Sequence, residues 1–443
     1  MSSDIANYRP ISQTSVYCKL MERVIVADIT AYMRQKGFIS KQQHGFLSNR
    51  STNTNLLESL SDWTLAVDNK QTQSIVYIDF SRAFDTVSRP KLLSKLCGYG
   101  VKGDLLSLIN DFLTDRQQKT RIGTSLSGNV NLTSGLVQGS CMGPLLFILF
   151  INDLTDVFDA AVTPKLYADD VKLYASLETN IDCRRLQQNL DRLVIWANTW
   201  QLSISIKKCN VLHIGKNRLM NSAVEFFHIN NDVLPNVETV VDLGVTIDAD
   251  LKFSEHINKM VHKAQTRSKL LIKCFVSRDT TTLVRAFKVY VRPILEYCSS
   301  VWCPYLIKDV EVIESVQRRF TKHLRGLWNI PYEERLKKVN LDRLDVRRLR
   351  LDLILTYKVL FGLTSLNSDQ FFQYAPTAIT TRGHDYKLYM PNVCTNSRKN
   401  FFSSRVLPAW NNLPNSIINF TSLKLFKTSL LNVDLTKYCI FIN

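Results

Sequence analysis

Long apolar runs are missing from this chain. The apolar stretch 145–151 falls far short of the ~20 residues a membrane span requires, and membrane association is not expected. No Gly-Lys-Ser/Thr loop occurs, which argues against a P-loop ATPase, and no Gly-x-Ser-x-Gly elbow marks a hydrolase nucleophile. Gly98-Tyr99-Gly100-Val101-Lys102-Gly103 formally fits a dinucleotide fingerprint, but it follows a helix-like segment with no βαβ unit around it. It reads as a helix terminus and turn. The ten cysteines lack metal-ligand spacing: no second pair or histidine cluster completes a zinc site with Cys298 and Cys303. Scattered thiols without a secretory signal suit a reducing, intracellular setting. Glycine (15) and proline (12) are scarce in 443 residues of which 45% are hydrophobic, so the chain is folded with sizeable cores. Acids are also few. Lys+Arg number 56 against 39 Asp+Glu, a net charge of +17 that favours polyanionic partners. Residues 251–350 hold 22 Lys+Arg against 10 Asp+Glu, and binding through such a region would be steeply salt-dependent.

Among the few acids, two stand side by side in Tyr167-Ala168-Asp169-Asp170. Alternating residues lead into the pair and out of it, which predicts a short hairpin with Asp-Asp at its tip. A third carboxylate, Asp79, ends the apolar run Ile75-Val76-Tyr77-Ile78, which suits a central strand buried on both faces. Ser81 then serves as a helix cap, and Pro90 opens a second helix. Three carboxylates in one sheet repel one another by about 4 kcal/mol per pair at about 4 Å and an effective dielectric near 20. Two Mg²⁺ ions, with Mn²⁺ able to substitute, would relieve that repulsion and support an in-line nucleotidyl transfer. Capping of the turn alone is the bland alternative for Asp79.

Gly135, Gly139 and Gly143 recur every four residues before the apolar segment 144–151. A glycine-rich turn that enters an apolar helix can rest a template base or a nucleotide sugar, or simply pack closely. The basic region reads as helical from Lys259, around 283–294 and over 310–327. Arg318, Arg319, Lys322 and Arg325 fall near one face. Residues 343–360 form another basic amphipathic helix, and 367–400 are loop-like.

Several blocks in order resemble the reverse transcriptase of non-LTR (LINE-type, Jockey-like) retrotransposons. They are Asn7-Tyr8-Arg9-Pro10-Ile11-Ser12, Gln43-His44-Gly45-Phe46, Asp79 to Asp85, Ser134-Gly135-Leu136-Val137-Gln138-Gly139-Ser140, the Asp169-Asp170 turn, Lys207-Lys208-Cys209 and Asp242-Leu243-Gly244-Val245. The resemblance implies an α+β right-hand polymerase with an antiparallel-sheet palm, helical fingers and thumb, and a helical C-terminal extension. Its divisions would be fingers and palm over 1–250, a basic thumb over 251–330 and an extension of unknown role over 331–443. Asp79, Asp169 and Asp170 would hold the metals. Phe84 would exclude a 2′-hydroxyl and so disfavour an RNA polymerase; by local pattern it equally suits a helix core. Arg9 and Arg50 would contact the triphosphate, Gln138 and Gly139 would line the nucleotide site, and Lys208 would face the leaving pyrophosphate. Ser205 stands where the family more often has Asn, and Lys207 leaves the lysine ambiguous by one residue. RNA template, DNA primer and dNTPs would be the partners, in the nucleus. A start so near the first block is expected of a truncated copy, and an inactive remnant that only binds nucleic acid stays open.

Overall fold

The computed structural model describes residues 10–215, 227–376 and 383–439. These residues form two compact units. The first takes the described residues up to Ser51, then Gln73–His213 and those up to Val237. The second takes Thr52–Thr72, Ile214 and Gly215, and the residues from Glu238 onwards.

A five-stranded sheet organises the first unit, in the order Asn236–Val237, Asn210–Ile214, Gln73–Ile78, Asp170–Ser176, Thr163–Tyr167. The apolar, β-branched strand Gln73–Ile78 lies in the middle with Ile75 and Val76 fully buried, as the sequence predicts. It pairs antiparallel with Asp170–Ser176, which in turn pairs antiparallel with Thr163–Tyr167. The outer strand Asn236–Val237 runs parallel to its neighbour, so the sheet is mixed, not uniformly antiparallel as expected. Helix Met142–Ile151 is apolar all round and therefore sits inside the core. Helix Asn180–Trp200 buries Leu186, Leu190, Leu193 and Ala197 along one stripe, and a Thr179–Asp182 capping box starts it.

Of two local expectations, one needs correction. Ser81 caps no helix; its N–H bonds the Ser203 carbonyl, and the short helix Ala83–Thr86 starts from Arg82 in the left-handed conformation. Pro90 does open the helix Arg89–Gly98, where its missing N–H leaves no bond unmade.

The second unit is mainly helical, through Ser254–Cys274, Thr280–Tyr290, Arg292–Glu296, Ile307–Lys322, Tyr332–Val339 and Leu344–Leu360. The helical run expected over 283–294 is broken at Val291, because Pro293 at the start of the next helix cannot donate backward. Helix Ile307–Lys322 stops short of Arg325, so that residue leaves the expected basic face. Arg318 is half-buried against the Tyr332 ring, 5.2 Å from its centroid, while Arg319 and Lys322 remain exposed. The basic helix Leu344–Leu360 differs most from its sequence pattern. Arg348 is buried, Arg347 pairs with Glu296 at 2.5 Å and Arg350 with Asp342 at 2.6 Å. Asp352, also buried, takes Arg405 at 2.8 Å. Much of this segment's charge therefore neutralises itself inside the unit.

His256 gives this unit a pH response. Its Nδ1 accepts the Thr246 N–H at 3.1 Å and its ring lies 5.4 Å from that of Trp302. Burial, helped by nearby Lys259, pushes its pKa down to about 4 from 6.5. An unfolded imidazole takes a proton below pH 6.5 that the folded one refuses, so stability falls as pH drops from about 6.5 to about 4. The slope is about 1.4 kcal/mol per pH unit inside that window. Urea unfolding of the wild type and His256→Gln across pH 4.5–7 should show a flatter slope for the variant. Parallel slopes would overturn this account.

Candidate active site

The site is built at one end of the central strand. Strand Gln73–Ile78 stops just before Asp79, and its register with the hairpin ends at Ile78 opposite Val171. One further step places Asp79 opposite Asp170, the first residue of its own strand, where antiparallel neighbours have Cα atoms about 4.5–5.5 Å apart. Asp169 occupies the turn between Tyr167 and Asp170, which pair with each other, and Ala168 before it has a φ of 56°. The hairpin with an acidic tip is thus present as predicted, and backbone register brings the tip beside Asp79.

On the other side, the Asp79 carbonyl accepts the Ser205 N–H at 2.8 Å and Phe80 bridges to Ile204. This pairing delivers the turn Ile206–Lys208, and Lys208 Nζ stands 3.4 Å from Asp79 Oδ1. Of the two lysines left open by the sequence, Lys208 is the one that reaches Asp79. Burial pushes the neighbouring Cys209 thiol up, so it is no nucleophile here. Among the described residues no group of three or more His, Cys, Asp or Glu side chains is gathered closely enough to hold a metal ion.

The hairpin tip rests on the segment around Gln43. Gln43 bridges to Leu166 in parallel fashion, the His44 N–H bonds the Leu166 carbonyl, and Leu166 N–H bonds Gln42. Gln43 Oε1 accepts from Gly45 N at 2.7 Å and Ala168 N at 2.9 Å, tying the two segments through one buried oxygen. A Cβ on Gly45 would lie 2.5 Å from Ala168 N, so only glycine fits there. Arg50 donates from Nη1 to the carbonyls of Ser40 and Gln43, which braces this segment. Arg9 lies outside the described residues.

Phe84 stacks on Phe147 with ring centroids 4.3 Å apart and meets Phe46 edge-on at 6.3 Å. It is half-buried, so the core position and a face left for a ligand are compatible. Gln138 Nε2 donates to Asp85 Oδ1 at 2.6 Å, and the Gln138 carbonyl accepts from Ser12 N at 2.7 Å. Gly139 has a φ of 98°, and a Cβ there would sit 2.4 Å from the Ser12 carbonyl oxygen. Two buried charges that the sequence reading missed hold this turn in place. Glu22 Oε2 accepts the N–H groups of Cys141 and Met142 at 2.6 and 2.9 Å, capping the apolar helix. Arg89 donates to the carbonyls of Leu132, Ser134 and Gly135. A charged residue on an otherwise apolar stripe was the available signal for Glu22; Arg89 had none.

A sheet that brings three acids and a lysine to one strand end, beside a glycine turn and an anchored aromatic, is what a nucleotidyl-transfer site would need. Residues 2–247, more than half of the chain, match the family model for reverse transcriptase (RNA-dependent DNA polymerase), and the chain belongs to that family. It is 28% identical over 341 residues to the probable RNA-directed DNA polymerase from transposon BS of Drosophila melanogaster, covering 74% of this chain and 36% of that one. It is 27% identical over 350 residues to the RNA-directed DNA polymerase from mobile element jockey of Drosophila funebris, covering 76% and 37%. The Jockey-like resemblance read from the sequence blocks therefore holds, and the chain spans little more than a third of these relatives' length. Among solved structures, telomerase from Candida albicans in complex with a fragment of telomeric RNA aligns at 12% identity and TM-score 0.36. That alignment covers 75% of this chain and 54% of that one, a likeness that carries no argument about this fold.

The contact at Gly45 can be tested directly. Gly45→Ala should destabilise the first unit by about 1–3 kcal/mol, the usual cost of overpacking. Gly98→Ala, where an added Cβ meets nothing within 4 Å, serves as the control and should be close to neutral. Thermal unfolding that ranks the two variants equally would refute the close approach of Gly45 to the hairpin.

Proposed function

We propose that this chain is an RNA-directed DNA polymerase that adds deoxynucleotides to a DNA primer 3′-end on an RNA template. The observation that carries the reading is the strand register, which sets Asp79 opposite Asp170 with Lys208 against the same carboxylate. In the reaction the primer 3′-oxygen bonds to the α-phosphorus of the dNTP, and the bond to pyrophosphate breaks in line. Asp79, Asp169 and Asp170 are the residues that would hold two Mg²⁺ ions. When bound, these ions would lower the cost of a nucleophilic 3′-oxygen and offset charge on the leaving group. Lys208, which lies against the Asp79 carboxylate, would donate a proton to the leaving pyrophosphate.

Phe84 supplies the sugar filter in this reading. Its ring is fixed by Phe147, so it cannot swing aside for a 2′-hydroxyl. Gln138 and Gly139 form the floor of the nucleotide site, with Gln138 oriented by Asp85. Arg50, held by its bonds to the Ser40 and Gln43 carbonyls, would contact the triphosphate. The exposed cations of helices Ser254–Cys274 and Ile307–Lys322 make residues 251–330 the thumb that follows the palm and fingers of 1–250. The extension 331–443 packs as a helical support. A nuclear setting accords with such a template and primer.

Primer extension on poly(rA)/oligo(dT) by the purified chain tests the reading. We expect incorporation that requires Mg²⁺ or Mn²⁺ and stops with EDTA; tight binding with no incorporation under either metal would identify a binding remnant instead. Asp169→Ala should lower incorporation by at least about three orders of magnitude, the scale lost with essential electrostatic groups. It should leave the unfolding midpoint and duplex affinity near wild type. Extension retained by that variant would remove the aspartate from the chemistry.

A further inference from the structure

Between Asp115 and Leu132 the chain leaves the body of the first unit as a narrow β-ribbon. Gln117–Gln118 pairs with Val130–Asn131, and Arg121–Ile122 pairs with Ser125–Leu126 around a tip at Gly123 and Thr124. The Ser127 N–H bonds the Thr120 carbonyl at 2.9 Å and joins the two ladders. Every residue from 117 to 131 is exposed, including Ile122 at 78% and Leu126 at 58%. A two-stranded ribbon with no core of its own is marginal in water, so an isolated one calls for a partner. Its composition names the chemistry. Residues 116–132 contain Arg116, Lys119 and Arg121 and not one acid. Lys119 and Arg121 are two residues apart on one arm of the ribbon, Lys119 between the two ladders and Arg121 in the outer one.

The root of the ribbon is anchored next to the candidate site. Arg116 and Leu132 share a backbone hydrogen bond of 2.8 Å, and Arg89 holds the carbonyls of Leu132, Ser134 and Gly135. Ser134 Oγ then donates to the carbonyl of Asp85, and Gln138 bonds the carboxylate of the same residue. From that root to the tip is about seven residues, or roughly 23 Å at about 3.3 Å per residue.

We propose that the ribbon 116–132 is a strap that lies along the template–primer duplex, with Lys119 and Arg121 on its phosphates. The proposal rests on the polymerase reading above for the presence of that duplex. Phosphates are the partner that three cations without an acid fit best. A second copy of the chain, paired edge to edge, would meet the same three cations and be repelled.

The test is equilibrium binding of RNA–DNA duplexes by the full chain, in EDTA without dNTPs so that catalysis plays no part. Lys119→Gln/Arg121→Gln should make the plot of log affinity against log salt shallower by about 2, close to one unit per lost phosphate contact. Affinity for a 20-base-pair duplex should drop about tenfold near 0.1 M salt. An unchanged slope, or a shift in oligomeric mass with affinity unmoved, would overturn the strap. A wild-type chain that ignores the duplex would sink the polymerase reading itself, which keeps the two failures apart.

Discussion

The ladder between Gln73–Ile78 and Asp170–Ser176 is the constraint on which the site depends. Side chains alternate across a strand, so a slip of one residue would move side chains such as Leu173 to the opposite face of the sheet and carry Asp170 away from Asp79. Close packing on both faces of the central strand resists the slip. Three further contacts secure the same register from outside: the Phe80–Ile204 bridge, the Gln43–Leu166 bridge, and the Gln43 carboxamide shared by Gly45 and Ala168. Hydrophobic packing and backbone hydrogen bonds, not attraction between charges, bring Asp79 beside the hairpin tip.

Arginine serves two distinct purposes in this molecule. Arg89 and Arg405 are internal braces whose planar donors meet carbonyls or a carboxylate, Arg348 is buried, and Arg50 braces the carbonyls of Ser40 and Gln43. These residues add to the net charge of +17 without presenting it outward. The exposed remainder includes Arg319 and Lys322 on one helix of the second unit and the acid-free ribbon in the first.

Much of the palette was legible in the primary structure because it is local. Ile75 to Ile78 announce a buried strand by composition, the Asp169-Asp170 turn by alternation, and Pro90 a helix start by its missing donor. The wholly apolar helix Met142–Ile151 follows from the same kind of signal. Most failures share a cause as well. Ser81 has the right side chain for a cap, yet its backbone N–H is taken by Ser203, which lies far along the chain. Arg325 keeps helical spacing beyond a helix that ends at Lys322, and the basic pattern of Leu344–Leu360 conceals partners at Glu296, Asp342 and Arg405. Ser81, Arg347 and Asp352 were misread because partners far along the chain outweighed a local preference, and Arg325 because its helix ends early.

Sequence alone therefore determined which residues could do chemistry, the elements that carry them and the family to which the ordered blocks belong, since all three are written in residue type and short spacing. Only the tertiary structure decided which cations face inward, that Lys208 is the lysine beside Asp79, and that Glu22 and Gln43 support the two turns of the site. Those outcomes depend on hydrogen bonds and burial between segments 50 to 130 positions apart. No window of local pattern contains both partners of such a contact.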